Sequence, residues 1–143
     1  MHASTREAEI LQDWIDEASL DSIKAKHGSS YDYQDIIELG EYTSRSLIKI
    51  SSLVSDPRFR KRLDTLQKMV RFGIKCDLAE SGLMELPSLS RDKKRNLGRS
   101  LFASGIDNVN KLAKQRPKTL ARNFGVIDEL AGDLISDAKQ QTH

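Results

Sequence analysis

Apolar residues recur every three or four positions along nearly the whole chain, and each run is cut after a few turns by glycine or proline. That period puts the apolar side chains of each run on one face of a helix. Gly28, Gly73, Gly105 and Gly125 stand where runs stop, and Pro57 and Pro117 where runs begin. Proline suits the first helical position and glycine the residue just past the last one. No stretch of useful length alternates apolar with polar residues as a strand would. The pattern therefore predicts an all-α chain of eight or nine helices, most of them short. It reads as a short-helix bundle over 1–75 followed by a hairpin module over 76–143.

The first helix is expected over 4–18, with Ile10, Leu11, Trp14, Ile15 and Ala18 on one face and Ser4 with Glu7 as a capping box. A short helix follows from Ser19 to about His27, then the loop Gly28–Tyr31. A longer helix is expected over 32–54 with two stripes. Ile36, Gly40, Thr43, Leu47, Ile50 and Val54 form the core-facing stripe; Asp35, Glu38, Tyr42, Arg45 and Lys49 form the other. Tyr42 is the odd member of a charged stripe. It reads either as a platform on which a base stacks or as a boundary residue with a wet hydroxyl. Asp56-Pro57 opens the next helix, which is expected to bury Phe59, Leu63, Leu66, Met69 and Val70. Its opposite side carries Arg58, Arg60, Lys61, Arg62, Lys68, Arg71 and Lys75.

Charge is unevenly laid out. Residues 1–57 hold 5 basic and 11 acidic side chains, a net of −6. Residues 58–122 hold 17 and 6, a net of +11, and residues 123–143 hold 1 and 4, a net of −3. A basic centre between acidic flanks points to a polyanionic partner at a defined surface, against the plainer reading of a solvated basic face. The densest part is Leu86–Ile106. There Ser90 is expected to cap a helix running through Leu97, Leu101 and Phe102 to Gly105, with Arg91, Lys93, Lys94, Arg95 and Arg99 crowding its start. Cations beside free backbone N–H groups suit a phosphate. After Gly105, Asp107 is expected to cap a short helix, Arg116-Pro117 to open another, and the last helix to run from Val126 to about Lys139. The turn and helix of 124–139 echo those of 86–105, and paired units of this kind build helix-hairpin-helix modules.

Other chemistry is not indicated. No run approaches the roughly 20 apolar residues that cross a bilayer, and no signal peptide stands at the N-terminus. The single cysteine, Cys76, admits no intrachain disulfide and fits a reducing, intracellular location. His2, His27 and His143 are scattered and suggest no metal cluster. There is no phosphate loop of the Gly-x-x-x-x-Gly-Lys-Ser/Thr type and no nucleophile beside a base, so no catalytic residue, cofactor or metal is expected on this chain.

Five segments stand in order along the chain: Asp13-Trp14-Ile15-Asp16-Glu17, Ile23-Lys24-Ala25-Lys26-His27-Gly28, the Tyr42 helix, Val70-Arg71-Phe72-Gly73-Ile74-Lys75 and Leu83–Ile106. Together they resemble the C-terminal part of superfamily II DNA helicases of the HELQ type, which include the archaeal replication-fork helicases. The resemblance implies the end of a helical ratchet domain, whose long helix lies across an unwound single strand, followed by a helix-hairpin-helix domain. By position, Tyr42 stands where that family carries a tryptophan that stacks on a base, and Asp35 where it carries an arginine. Ser88-Leu89-Ser90 fills the place of the family's Gly-Ile-Gly hairpin. Glycine there lets the backbone approach a phosphate, whereas serine offers a hydroxyl. The motor domains of such a helicase, acting in cis or in trans, are not on this chain.

These readings converge on a non-catalytic module that grips single-stranded or branched DNA. The expected contacts are Ser88, Ser90, Arg91, Lys93, Lys94 and Arg95 from the hairpin, Arg58, Lys61 and Arg62 as a second patch, and Tyr42, Arg45 and Lys49 on the long helix. RNA fits the same charge pattern, because phosphate contacts do not distinguish the two. A different class of reading is a protein–protein adaptor that docks a motor core or a repair partner through the acidic N-terminal half.

Overall fold

The computed structural model describes residues 2–28 and 31–142, with side chains from Arg6 onward. Its described residues contain no strand and form ten α-helices and one 3₁₀ turn. The chain divides into two compact units, Met1–Cys76 and Asp77–His143.

The first unit contains α1 (His2–Ile15), α2 (Leu20–His27), α3 (Tyr33–Leu53) and α4 (Pro57–Phe72). Helix α1 begins ahead of Ser4, and the Ser4 side chain lies outside the described residues, as do Ser29 and Ser30 of the expected loop. Helix α3 starts with a reciprocal cap: Asp32 Oδ1 accepts from the Asp35 N–H at 2.8 Å, and the Asp32 N–H donates to Asp35 Oδ2 at 3.1 Å. Two otherwise unpaired amides are thereby satisfied, and Asp35 places its negative charge at the positive end of the helix. Helix α4 starts on Asp56 and Pro57 and closes on Gly73, which is left-handed. The connection from α3 to α4 is Val54-Ser55-Asp56, short enough to make the two helices antiparallel neighbours.

Trp14 docks α1 onto that pair. Its indole N–H donates to the Val70 carbonyl at 2.7 Å. A Cβ on Gly73 would strike the Trp14 ring, and one on Gly40 would strike the Val70 carbonyl. Both glycines are therefore required by close approach. Ile10, Trp14, Ile23 and Ile36 form the buried cluster beneath them. The end of α1 is fastened by Glu17, whose carboxylate accepts from the Lys75 N–H at 2.9 Å. Helix α2, capped by Ser19, is held against α1 by the buried His27, which lies 2.8 Å from Asp13.

The far half of the α3–α4 pair is less covered than its periodicity predicts. Ser44 and Gln67 make a buried bridge at 2.9 Å, and Leu63 and Val70 are buried. Ile50, Phe59 and Leu66, expected in the core, are exposed, as is Leu53. Periodicity specifies which face of a helix is apolar but not whether another element covers it.

The second unit contains all but the first residue of α5 (Cys76–Ser81), the 3₁₀ turn Leu83–Glu85, α6 (Pro87–Ser90), α7 (Arg95–Ala103), α8 (Val109–Ala113), α9 (Pro117–Phe124) and α10 (Asp128–Gln141). Leu78, Leu83, Leu86, Leu89, Leu101, Leu112, Leu120 and Leu134 are buried in it. Two expectations need correction. The basic helix starts at Arg95, not at Ser90, because Pro87 opens a separate single turn that ends with Ser90. Lys93 then takes a left-handed conformation, φ 48°, which interrupts the helical path. Asn108 rather than Asp107 caps α8, accepting from the Lys111 N–H at 2.8 Å, while Asp107 pairs with the Lys111 ammonium. Among the described residues no helix is long and apolar enough to cross a membrane, and no cluster of acidic, histidine and cysteine side chains is placed to hold a metal.

Candidate nucleic-acid interface

On α3, residues 42, 45 and 49 are spaced by three and four, so Tyr42, Arg45 and Lys49 share one side of the helix. All three are exposed, Tyr42 by 66%. Its ring and hydroxyl are therefore both open to solvent, which is compatible with either reading of Tyr42. On α4, Arg58, Lys61 and Arg62 are exposed as well. None of these five cations makes an ion pair or a side-chain hydrogen bond with another described residue. Their neighbours are engaged otherwise. Arg60 donates to the Val54 carbonyl at 2.6 and 3.1 Å, closing the end of α3, and Lys68 pairs with Asp64. Arg71 lies 4.0 Å from Glu41. From Thr43 to Ser55 the chain carries no acidic residue at all. This half of the pair therefore carries an excess of basic side chains.

The hairpin stretch is arranged differently. Ser88 gives both its N–H (2.9 Å) and its hydroxyl (2.6 Å) to one carboxylate oxygen of Asp137 on α10. A phosphate at Ser88 would have to displace that carboxylate and would meet its negative charge. Ser90 is the last residue of α6 and half-buried. Arg95 is only 8% exposed and makes contacts of its own, as does the half-buried Lys93. Arg91 is exposed and Lys94 half-exposed. Arg99 is paired with Asp77 at 2.8 Å and stacks over Phe102. The expected cradle of cations around a helix N-terminus is thus replaced by a turn in which Arg91 and Lys94 alone, of the six hairpin residues, offer a cation with no partner among the described residues.

Four basic residues that the motif reading passed over are better presented. Lys114, Arg116, Lys118 and Arg122 are exposed around α8 and α9, and none has an ion-pair partner among the described residues. Lys118 and Arg122 are four apart on α9, so like charges neighbour each other. The signal was the charge excess of 58–122 itself, which runs to Arg122.

No protein-family model matches the chain, and no solved structure does. Among curated proteins, an ATP-dependent DNA helicase Hel308 of Thermoplasma acidophilum is 29% identical over 95% of this chain, and that of Aeropyrum pernix is 27% identical over 84%. A DNA ligase of Caldicellulosiruptor saccharolyticus is 34% identical over 73% of the chain, but over only 14% of the ligase. The chain spans 19% and 16% of the two helicases' own length. Over nearly its whole length, then, this chain is similar to a C-terminal region of the Hel308 DNA helicases.

Proposed function

We infer that this chain is a non-catalytic module that holds single-stranded or branched DNA for a helicase motor. The observation that carries the reading is the exposed ring of Tyr42 on one side of α3 with Arg45 and Lys49, together with exposed Arg58, Lys61 and Arg62 on α4, five cations with no partner among the described residues. Backbone phosphates attract such cations without regard to sequence, and a base can stack on the ring. Lys114, Arg116, Lys118 and Arg122 supply phosphate contacts from the second unit, which takes the part of the helix-hairpin-helix domain. Ser88, Ser90 and Arg95 serve to build that unit rather than to bind. Asp35, whose charge opposes DNA, is accounted for by the α3 cap.

The test is fluorescence anisotropy of the chain with labelled single-stranded DNA, forked DNA and single-stranded RNA at two salt concentrations. Salt-sensitive binding to the DNA probes supports the reading. Tighter binding of RNA would reassign the partner, and no binding of any probe, with a protein partner still retained, would favour the adaptor.

A further inference from the structure

We propose that one edge of the α3–α4 pair is a docking groove for an amphipathic helix with acidic flanks, contributed by a separate polypeptide. Three contacts fix how the two helices are aligned: Gly40 beside Val70, Ser44 bonded to Gln67, and Val54 bonded to Arg60. With helical spacing around each axis, Ile50 and Leu53 of α3 and Phe59 and Leu66 of α4 then fall along the same edge. The opposite edge is distinct. It carries exposed Ile48, the Glu41–Arg71 pair and a cleft lined by Ser51, Ser55, Pro57, Arg60, Lys61 and Asp64.

All four apolar side chains are exposed, Leu53 by 86% and Phe59 by 49%. Single exposed apolar residues need no explanation, but a row of large ones marks an interaction site. A row of this kind between two helices fits the anchors of a third helix, spaced three and four apart. Charge selects the partner. Lys49 borders the row on α3, and Arg58 and Arg62 border it on α4, with no partner among the described residues. Residues 43–66 hold six basic side chains against two acidic ones, Asp56 and Asp64. Asp56 caps α4 and Asp64 pairs with Lys68. A second copy that apposed this same edge would bring like cations together and be repelled, whereas acidic flanks would pair with them. Arg58, Arg62 and Lys49 are also in the proposed DNA surface, so helix and strand would compete for them.

The experiment is titration calorimetry of the full chain with a synthetic helical peptide of about 18 residues, leucines three and four apart and glutamates on both flanks. The control peptide has lysine flanks. The acidic peptide is expected to bind and the lysine peptide not. Leu53→Ser with Phe59→Ser should weaken binding at least tenfold while far-UV circular dichroism is unchanged. Arg58→Ala with Arg62→Ala should weaken it and flatten its salt dependence. Equal binding of both peptides, affinity untouched by either pair of substitutions, or self-association abolished by Leu53→Ser with Phe59→Ser would each overturn the proposal. The assay contains no nucleic acid, so its failure and the failure of the DNA reading are separate events.

Discussion

The indole N–H of Trp14 donates to the carbonyl of Val70, at the end of a helix where that carbonyl has no amide of its own to accept. This one bond joins α1 to the last turn of α4, and Gly73 leaves room for the ring. Trp14→Phe keeps most of the packing but strands a buried acceptor, so it should destabilise the first unit by about 1–3 kcal/mol in urea unfolding followed by circular dichroism. Gly73→Ala should cost more than the roughly 1–2 kcal/mol of a left-handed alanine, because its methyl also meets the ring. A neutral Gly73→Ala would show that the ring is not seated there.

Asp13 is held below its ordinary value of 3.8, first by the hydrogen bond with His27, partly offset by burial, and then by Lys26. A carboxylate depressed in the folded state contributes stability above its unfolded value and loses it as pH falls through the folded one. The first unit should therefore lose stability below about pH 4. Asp13→Asn should be less stable than the parent near neutral pH, and the gap should narrow on acidification. Trp14, the single tryptophan, reports this by fluorescence. A gap constant with pH would remove Asp13 from the acid response.

Ser88 and Asp137 are 49 residues apart and joined by two hydrogen bonds to one oxygen. Asp137→Ala should destabilise the second unit by about 1–3 kcal/mol without weakening DNA binding. A marked loss of DNA affinity in the folded variant would return the hairpin to the binding surface.

Much of this was legible in the sequence because it is local. The stripe of Asp35, Glu38, Tyr42, Arg45 and Lys49 follows from helical spacing, and all five are exposed. Asp56-Pro57 and Gly73 mark α4 by their own backbone chemistry. What was not legible depends on distant partners. Ser90 has the chemistry of a cap, but Pro87 opens a turn before it and Ser88 is claimed by Asp137. Arg95 reads as a surface cation until the fold covers it. Phe59 and Leu66 read as core, but no element among the described residues buries them.

Tyr42→Ala should weaken single-strand binding by about 1–3 kcal/mol, the range for loss of one stacked base, with little change in urea midpoint. A fall in stability with unchanged affinity would make the ring a packing residue.

The most direct measurement is the salt dependence of single-strand binding for the parent and for Arg58→Ala/Lys61→Ala/Arg62→Ala. Each phosphate contact contributes about 0.7 to the slope of log K against log salt for a single strand. The triple variant's slope should be shallower by about 2, with the thermal unfolding midpoint preserved. A triple variant that binds with the parent's slope and affinity would contradict it.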